Sequence, residues 1–391
     1  MKILHIVNGK VPRNPSESSV SGIVLATINI AQRQAELGHT VSVVSVSSEV
    51  FNRQWKGINL YSLKEWPYAR IILGKKNLNF RIHGPLISLT RRYQFDVIHG
   101  HQYTYFRFLR AKRFYAHFHS DPFHPGAKPY ESLDYKPSDW LTVSRYSTGY
   151  FVPSNFLAGQ LILGGLERDK ITVVPNGIEI NKFLQPVASS TIRGFRNKWN
   201  LTSKDYIFLF VGAITPEKGL LELLQSFRYL QKRKLNIKLL IVGSSSLWGM
   251  NSNRISQYED SLRHYSNNRT TRGSVVWAGK IRNDSMPVVY SSVDAVVAPS
   301  LWSEGFHLVT LEAMVSGKPV IGSSHGGIGE LLNLSGGLTI SPFRPRTMVS
   351  SMSILSRYPS MAKSLGRKLQ KYAQRYTWER SVDIIEKTIT G

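Results

Sequence analysis

The 391-residue sequence contains no cysteine. That excludes a disulfide framework, a thiolate metal site and a cysteine nucleophile. It also lacks any run of the ~20 apolar residues that a helix needs to cross a bilayer. The opening Met1-Lys2-Ile3-Leu4-His5-Ile6-Val7 meets the polar Asn8-Gly9-Lys10 too soon to form a signal-peptide core. It is expected to be a first buried strand instead. A cytoplasmic protein is the expectation from these absences. Low-complexity segments and short repeats are missing as well. Acidic residues are scarce, 25 against 50 Lys and Arg, for a formal net charge of +25.

The imbalance is uneven. Between Arg53 and Arg113, thirteen Lys and Arg stand against only Glu65 and Asp96, interleaved with Trp55, Tyr61, Trp66, Tyr68, Phe80 and Tyr93. Aromatic rings lie at headgroup level while cations find phosphates, so this segment, 53–113, is expected to meet an anionic membrane surface or an anionic lipid-linked acceptor. The location then expected is peripheral, on the cytoplasmic face of a membrane. Nucleic acid attracts the same residues, but no nucleic-acid module signature is present and no nucleic-acid partner is expected. The plain alternative is a solvated basic surface that aids solubility.

Short apolar runs alternate with helical periodicity through two halves. Strands are expected at 2–7, 40–46, 96–99, 113–119, 150–153 and 170–174, then at 206–211, 238–242, 274–277, 295–298, 318–322 and 337–340. Helices are expected at 22–37, from 154, at 219–230 and from about 308. This rhythm predicts an α/β protein of two doubly wound units with parallel sheets covered on both faces. The boundary is expected near 182, giving domains 1–182 and 183–369, with the helical segment from about 370 to 391 at the end.

One stretch carries the most chemistry: Pro299-Ser300-Leu301-Trp302-Ser303-Glu304-Gly305-Phe306-His307-Leu308-Val309-Thr310-Leu311-Glu312-Ala313-Met314. It follows the apolar run Ala295–Ala298, so Glu304 is placed in a strand-to-helix loop and Glu312 in the second turn of the helix. The N–H groups of Gly305, Phe306, His307, Leu308 and Val309 then line a helix N-terminus, a natural seat for phosphate. Two carboxylates around an anion seat suit a sugar–diphosphate–nucleoside, because each accepts hydroxyl donors.

This string, with Gly317-Lys318-Pro319-Val320-Ile321 downstream, resembles the Glu-x7-Glu signature of the retaining glycosyltransferases of family 4. The resemblance implies a GT-B fold, two Rossmann-like domains with an interdomain cleft, and a last helix that crosses back onto the first domain near Tyr376-Thr377-Trp378-Glu379. It implies transfer of a sugar from a nucleotide diphosphate sugar, a UDP-sugar above all, to a hydroxyl of a glycan, lipid-linked or other small acceptor in cell-surface polysaccharide or glycoconjugate synthesis. No cofactor and no metal are implied, and Asp-x-Asp, the metal–diphosphate motif of the other main glycosyltransferase fold, does not occur.

The resemblance also distributes roles. Lys218, in Gly212-Ala213-Ile214-Thr215-Pro216-Glu217-Lys218-Gly219, inherits contact with the leaving diphosphate, although Ala213 stands where the family usually has Arg. His119 is placed against the donor sugar, Glu304 orients that sugar, and Glu312 fixes the nucleoside. Gly22 approaches the diphosphate, with Ser21 replacing the first Gly of a Gly-Gly loop. Gly305, Phe306, His307, Leu308 and Val309 complete the donor site. His307 replaces a commoner Gly or Pro and is expected to face sugar or acceptor. Asn176-Gly177 and Gly326-Gly327 are expected to be structural. His99 with His101, and His117 with His119, share strand faces in pairs, a geometry also open to metal ligation. The competing reading is a non-catalytic or nucleic-acid-binding basic protein on a GT-B scaffold.

Overall fold

The computed structural model describes residues 1–7, 10–15, 21–47, 49–64, 69–73, 76–80, 84–101, 109–121, 146–232, 236–245 and 253–391. Within the basic segment, Glu65, Trp66, Tyr68, Lys75, Arg81 and Arg107 lie outside the described residues. The chain forms two compact units, Met1–Gly177 with Trp378–Gly391, and Ile178–Thr377. Both are α/β, each built on a mainly parallel sheet of the Rossmann type.

In the first unit the strands are β1 (Lys2–Val7), β2 (Thr40–Ser47), β3 (Phe51–Trp55), β4 (Ile58–Lys64), β5 (Ala69–Leu73), β6 (Lys76–Phe80), β7 (Phe95–His101), β8 (Ala111–His117), β9 (Gly149–Val152) and β10 (Ile171–Val173). Eight of them form one sheet in the order β10-β9-β8-β7-β1-β2-β4-β3, while β5 and β6 pair separately. The sheet departs from the expected all-parallel pattern at its edge, where β3 runs antiparallel to β4. The connection is the two-residue turn Lys56-Gly57, with φ of 43° and 80°. Positive φ at both turn residues matches the right-handed twist of a hairpin, and Gly57 adopts it without a Cβ penalty.

Side chains alternate across this sheet. Ile3, Val7, Val97 and Tyr115 enter a core with Val24, Ala31, Trp378, Val382, Ile385 and Ile389. Leu4, Ile6, Ile98, Ala116 and Phe118 enter another with Leu157 and Leu161. The helices Gly22–Glu36 and Trp378–Thr390 therefore cover one face, and Asn155–Leu163 the other. Serine caps start the two helices that follow loops: Ser21 Oγ accepts from Val24 N–H and Ser154 Oγ from Leu157 N–H. Each bond satisfies a donor that the helix itself cannot.

The second unit holds β11 (Tyr206–Val211), β12 (Ile237–Val242), β13 (Val275–Gly279), β14 (Ala295–Ala298), β15 (Val320–Ser323) and β16 (Leu338–Ile340), in the order β13-β12-β11-β14-β15-β16, every pair parallel. Helices on both faces bury these strands, which explains near-continuous apolar runs such as Tyr-Ile-Phe-Leu-Phe-Val. The sheet order reverses between β11 and β14, so their carboxyl ends flank a switch point, where open α/β sheets bind ligands.

Candidate active site

Three loops at the carboxyl ends of β11, β14 and β15 are stitched together by hydrogen bonds to backbone carbonyls. Leu301 N–H and the Ser300 hydroxyl both donate to Glu217 O, and the Ser323 hydroxyl donates to Ser300 O at 2.6 Å. Gly327 N–H donates to Glu304 O at 2.6 Å. Two glycines make the approach possible. Gly219 sits at φ 69°, and a Cβ there would lie 2.0 Å from Pro299 O; at Gly327 a Cβ would lie 2.3 Å from Gly305 O. Both distances are far inside contact, so only glycine admits the packing.

This stitching places Lys218, at the end of the short turn Pro216–Lys218, beside Glu304. Lys218 Nζ lies 2.9 Å from Glu304 Oε1, and both side chains are mostly buried. Burial pushes the Glu304 carboxyl up, but the Lys218 ammonium and the His307 ring outweigh it and hold the group below the ordinary carboxylate value. Glu304 is thus an anion kept in a largely dry loop by one cation.

His307 is the N-cap of the helix Leu308–Val315. Its Nδ1 accepts the Thr310 N–H at 3.2 Å and meets Thr310 Oγ1 at 2.8 Å. The acceptor role places the ring proton on Nε2, which faces Glu304 Oε1 at 3.7 Å. Burial lowers His307 to about 4, so the ring stays neutral near pH 7. Its position has a structural reason: an imidazole does here what Ser or Asp does at most helix starts. Thr310 N–H is taken by the cap; Leu308 and Val309 supply the two preceding helical N–H groups, which have no intrahelical acceptor. Gly305 is buried, and Phe306 packs its ring 6.1 Å from that of Tyr376.

Glu312 lies in the second turn of this helix and behaves differently. Burial raises its carboxyl above the ordinary value, opposed by the Tyr290 hydroxyl, which donates to Oε2 at 2.7 Å, and by Lys182. Sequence reasoning missed Tyr290 and Lys182 as partners. Tyr290 is 22 residues upstream on another helix, so no local spacing announces it. Ala213 is buried at 4% exposure, packed where the family motif would put an arginine.

In the first unit, β8 ends at His117, and His119 lies two residues past it in a bend rather than inside the strand. His119 is one of five histidines, with His5, His99, His101 and His117, gathered on one face at the carboxyl ends of β1, β7 and β8. Burial lowers all five, His5 to about 4 and His119 to about 3. Among the described residues, His5, His99 and His101, and likewise His101, His117 and His119, have possible metal-ligand atoms within 4.8 Å of one another. Gly22 is exposed and is the first residue of its helix, after the Ser21 cap. A cavity of about 660 Å³ opens at the amino ends of β1, β2, β7 and β8, beside Lys2, Thr40, Asp96 and Lys112, the opposite edge of the sheet from the histidines.

Comparison with known proteins gives the family and the fold. The family described as glycosyl transferases group 1 matches residues 192–373, and glycosyltransferase family 4 matches residues 20–182. The two matches divide nearly the whole chain between them, and the chain belongs to the family 4 glycosyltransferases of GT-B fold. Lipopolysaccharide 1,2-N-acetylglucosaminetransferase of Salmonella typhimurium is 30% identical over 181 residues, 46% of this chain and 45% of that protein. The chain thus matches less than half the length of that relative. An uncharacterized glycosyltransferase of Methanocaldococcus jannaschii is 23% identical over 371 residues, 92% of each chain. Among solved structures, HepE of Anabaena in complex with UDP superposes with a TM-score of 0.77 over 100% of both chains at 18% identity. That likeness concerns the fold.

Proposed function

We propose that this chain is a retaining glycosyltransferase that moves a sugar from a UDP-sugar to an acceptor hydroxyl. The observation that carries the proposal is the Lys218–Glu304 pair at 2.9 Å, set beside the N-terminus of the helix that bears Glu312. Lys218 and the helix N–H groups of Leu308 and Val309 bind the diphosphate and stabilise charge as it develops on the leaving oxygen. Glu304 accepts hydroxyls of the donor sugar. Glu312, with one oxygen held by Tyr290, uses the other for the ribose. The bond from the anomeric carbon to the phosphate oxygen breaks, the bond to the acceptor oxygen forms on the same face, and the acceptor proton passes to the departing phosphate. No carboxylate nucleophile is assigned, unlike in the retaining glycosidases. The family resemblance assigns His119 to the donor sugar.

Uridine as the base is supported by HepE, whose structures include complexes with UDP and with UDP-glucose. A lipid-linked or polysaccharide acceptor is supported by the Salmonella relative, named for its action on lipopolysaccharide. The basic segment favours an acceptor presented at an anionic membrane surface. Its described part includes exposed Arg91, Arg92 and Tyr93 at the end of the helix Gly84–Tyr93, with the Arg92 guanidinium 5.5 Å over the Tyr93 ring.

Thermal-shift screening of nucleotide sugars tests the donor, because a ligand bound only by the native state raises its melting temperature. A UDP-sugar should raise it most, and product NMR should show the donor's anomeric configuration retained. No shift with any nucleotide sugar, or an inverted product, would overturn the proposal.

A further inference from the structure

The five histidines, four of them buried and His119 half-buried, contain a hydrogen-bonded line with a direction. Glu386, on the helix Trp378–Thr390, accepts the Gln34 amide N–H through Oε1 at 2.7 Å and His39 Nε2 through Oε2 at 2.8 Å. A carboxylate only accepts, so the Gln34 amide must turn its nitrogen to Glu386 and its oxygen the other way. That oxygen lies 2.7 Å from His5 Nε2. His5 must therefore carry its proton on Nε2 and present Nδ1 as an acceptor. His5 Nδ1 lies 3.0 Å from His101 Nε2, and His101 Nδ1 lies 3.0 Å from His119 Nε2. Each ring is neutral, with one donor nitrogen and one acceptor, so the assignment passes along the line without ambiguity.

We propose that Glu386 and Gln34 are positioning residues, which act through His5 and His101 to hold His119 in the tautomer with its proton on Nε2 and its lone pair on Nδ1. A neutral imidazole in one tautomer presents an acceptor to a sugar hydroxyl; in the other it presents a donor. A buried carboxylate that fixes an imidazole tautomer through a direct hydrogen bond is a known catalytic device. Here the same effect is relayed through an amide and two rings. The functional part rests on His119 taking part in transfer; the tautomer itself does not.

The ring geometry favours shared protons over a bound ion. His101 and His119 have centroids 5.3 Å apart and planes 17° apart, as when two rings meet nitrogen to nitrogen along one line. His117 and His119 instead stack, with centroids 4.3 Å apart and planes 17° apart. A metal binds in the plane of each imidazole, along the nitrogen lone pair. Nearly parallel stacked planes do not converge on one ion.

The test is a long-range ¹H–¹⁵N spectrum of the labelled full chain near neutral pH, which distinguishes protonated from lone-pair ring nitrogens. His119 should show Nε2 protonated and Nδ1 bare of hydrogen. In Gln34→Leu, and in the part-exposed Glu386→Leu if the first variant fails to fold, the two forms should mix or reverse. Gln34→Glu should restore the original form, because a proton shared between the introduced carboxyl and Glu386 keeps an acceptor facing His5. Transfer in Gln34→Leu should lose about tenfold or more in kcat with little change in donor KM. A proton on Nδ1 of His119 in the natural chain, or the same tautomer in both leucine variants, would overturn the proposal. So would one equivalent of zinc that survives chelator and occupies these nitrogens. If His119→Ala transfers sugar normally while the spectra behave as expected, the tautomer relay stands and the role of His119 falls.

Discussion

The two units handle buried polarity at their ligand ends in opposite ways. The first gathers five histidines and keeps them neutral, because burial lowers each of them. The second keeps a charge, because Lys218 stands 2.9 Å from Glu304 and offsets its burial. A buried group escapes the cost of desolvation either by shedding its charge or by pairing it. Neutral rings suit a face that exchanges hydrogen bonds with a neutral sugar. Under the proposed function, a paired charge suits a loop that meets a diphosphate, since an incoming anion can compete for the ammonium.

The sharpest way to break this contrast is to remove one member of the pair. Glu304→Ala and Lys218→Ala should each lower transfer by about 100-fold or more, measured as kcat with saturating donor, while circular dichroism stays native. Near-natural turnover in both would remove the second unit's charge from the chemistry. Acid should then separate the units. A histidine lowered in the folded state binds its proton first in the unfolded chain, so its stability is complete above about 6.5 and declines as pH falls. The decline runs to about 4 for His5 and about 3 for His119. Glu304, also lowered, loses its contribution only as pH falls through the carboxylate range. Hydrogen exchange at pH 5 should therefore show β1, β7 and β8 opening more readily than β11 and β14; equal protection would contradict the assignment. His307 works in the other direction, as a neutral ring within the charged unit lowered to about 4, and it narrows the difference.

Smaller effects sharpen the picture. Tyr290→Phe removes the donor to Glu312 and should weaken UDP binding by about fivefold in calorimetry. His307→Ala should cost about 1 kcal/mol of stability through the lost cap, and His307→Asn should recover most of it. A fall in transfer far beyond that loss of stability would show that His307 also meets the substrate.

Much of this was legible along the chain. The run Ala295–Ala298 and the residues after it announced a strand, a loop with Glu304 and a helix with Glu312, since all three are set by local pattern. The histidine line was not legible. Sequence shows only the pairs His99/His101 and His117/His119; what joins them to His5, Gln34 and Glu386 is the strand order β8-β7-β1 and two helices on the same face. The antiparallel β3 was missed because edge strands carry weak, exposed patterns. His307 as a cap was missed because capping is expected of small polar residues, and an imidazole nitrogen reaches Thr310 N–H only when its ring lies across the helix start.

The helix Trp378–Thr390 belongs to the first unit although about two hundred residues separate it from Gly177. A growing chain therefore completes the contiguous second unit before the first has its last element. Until Trp378, Val382, Ile385 and Ile389 arrive, one face of the first sheet lacks part of its cover, and Glu386 is not there to orient Gln34. The order of synthesis runs against the order of the units: the helix Trp378–Thr390, which carries Glu386, follows the whole of the second unit yet packs on the first.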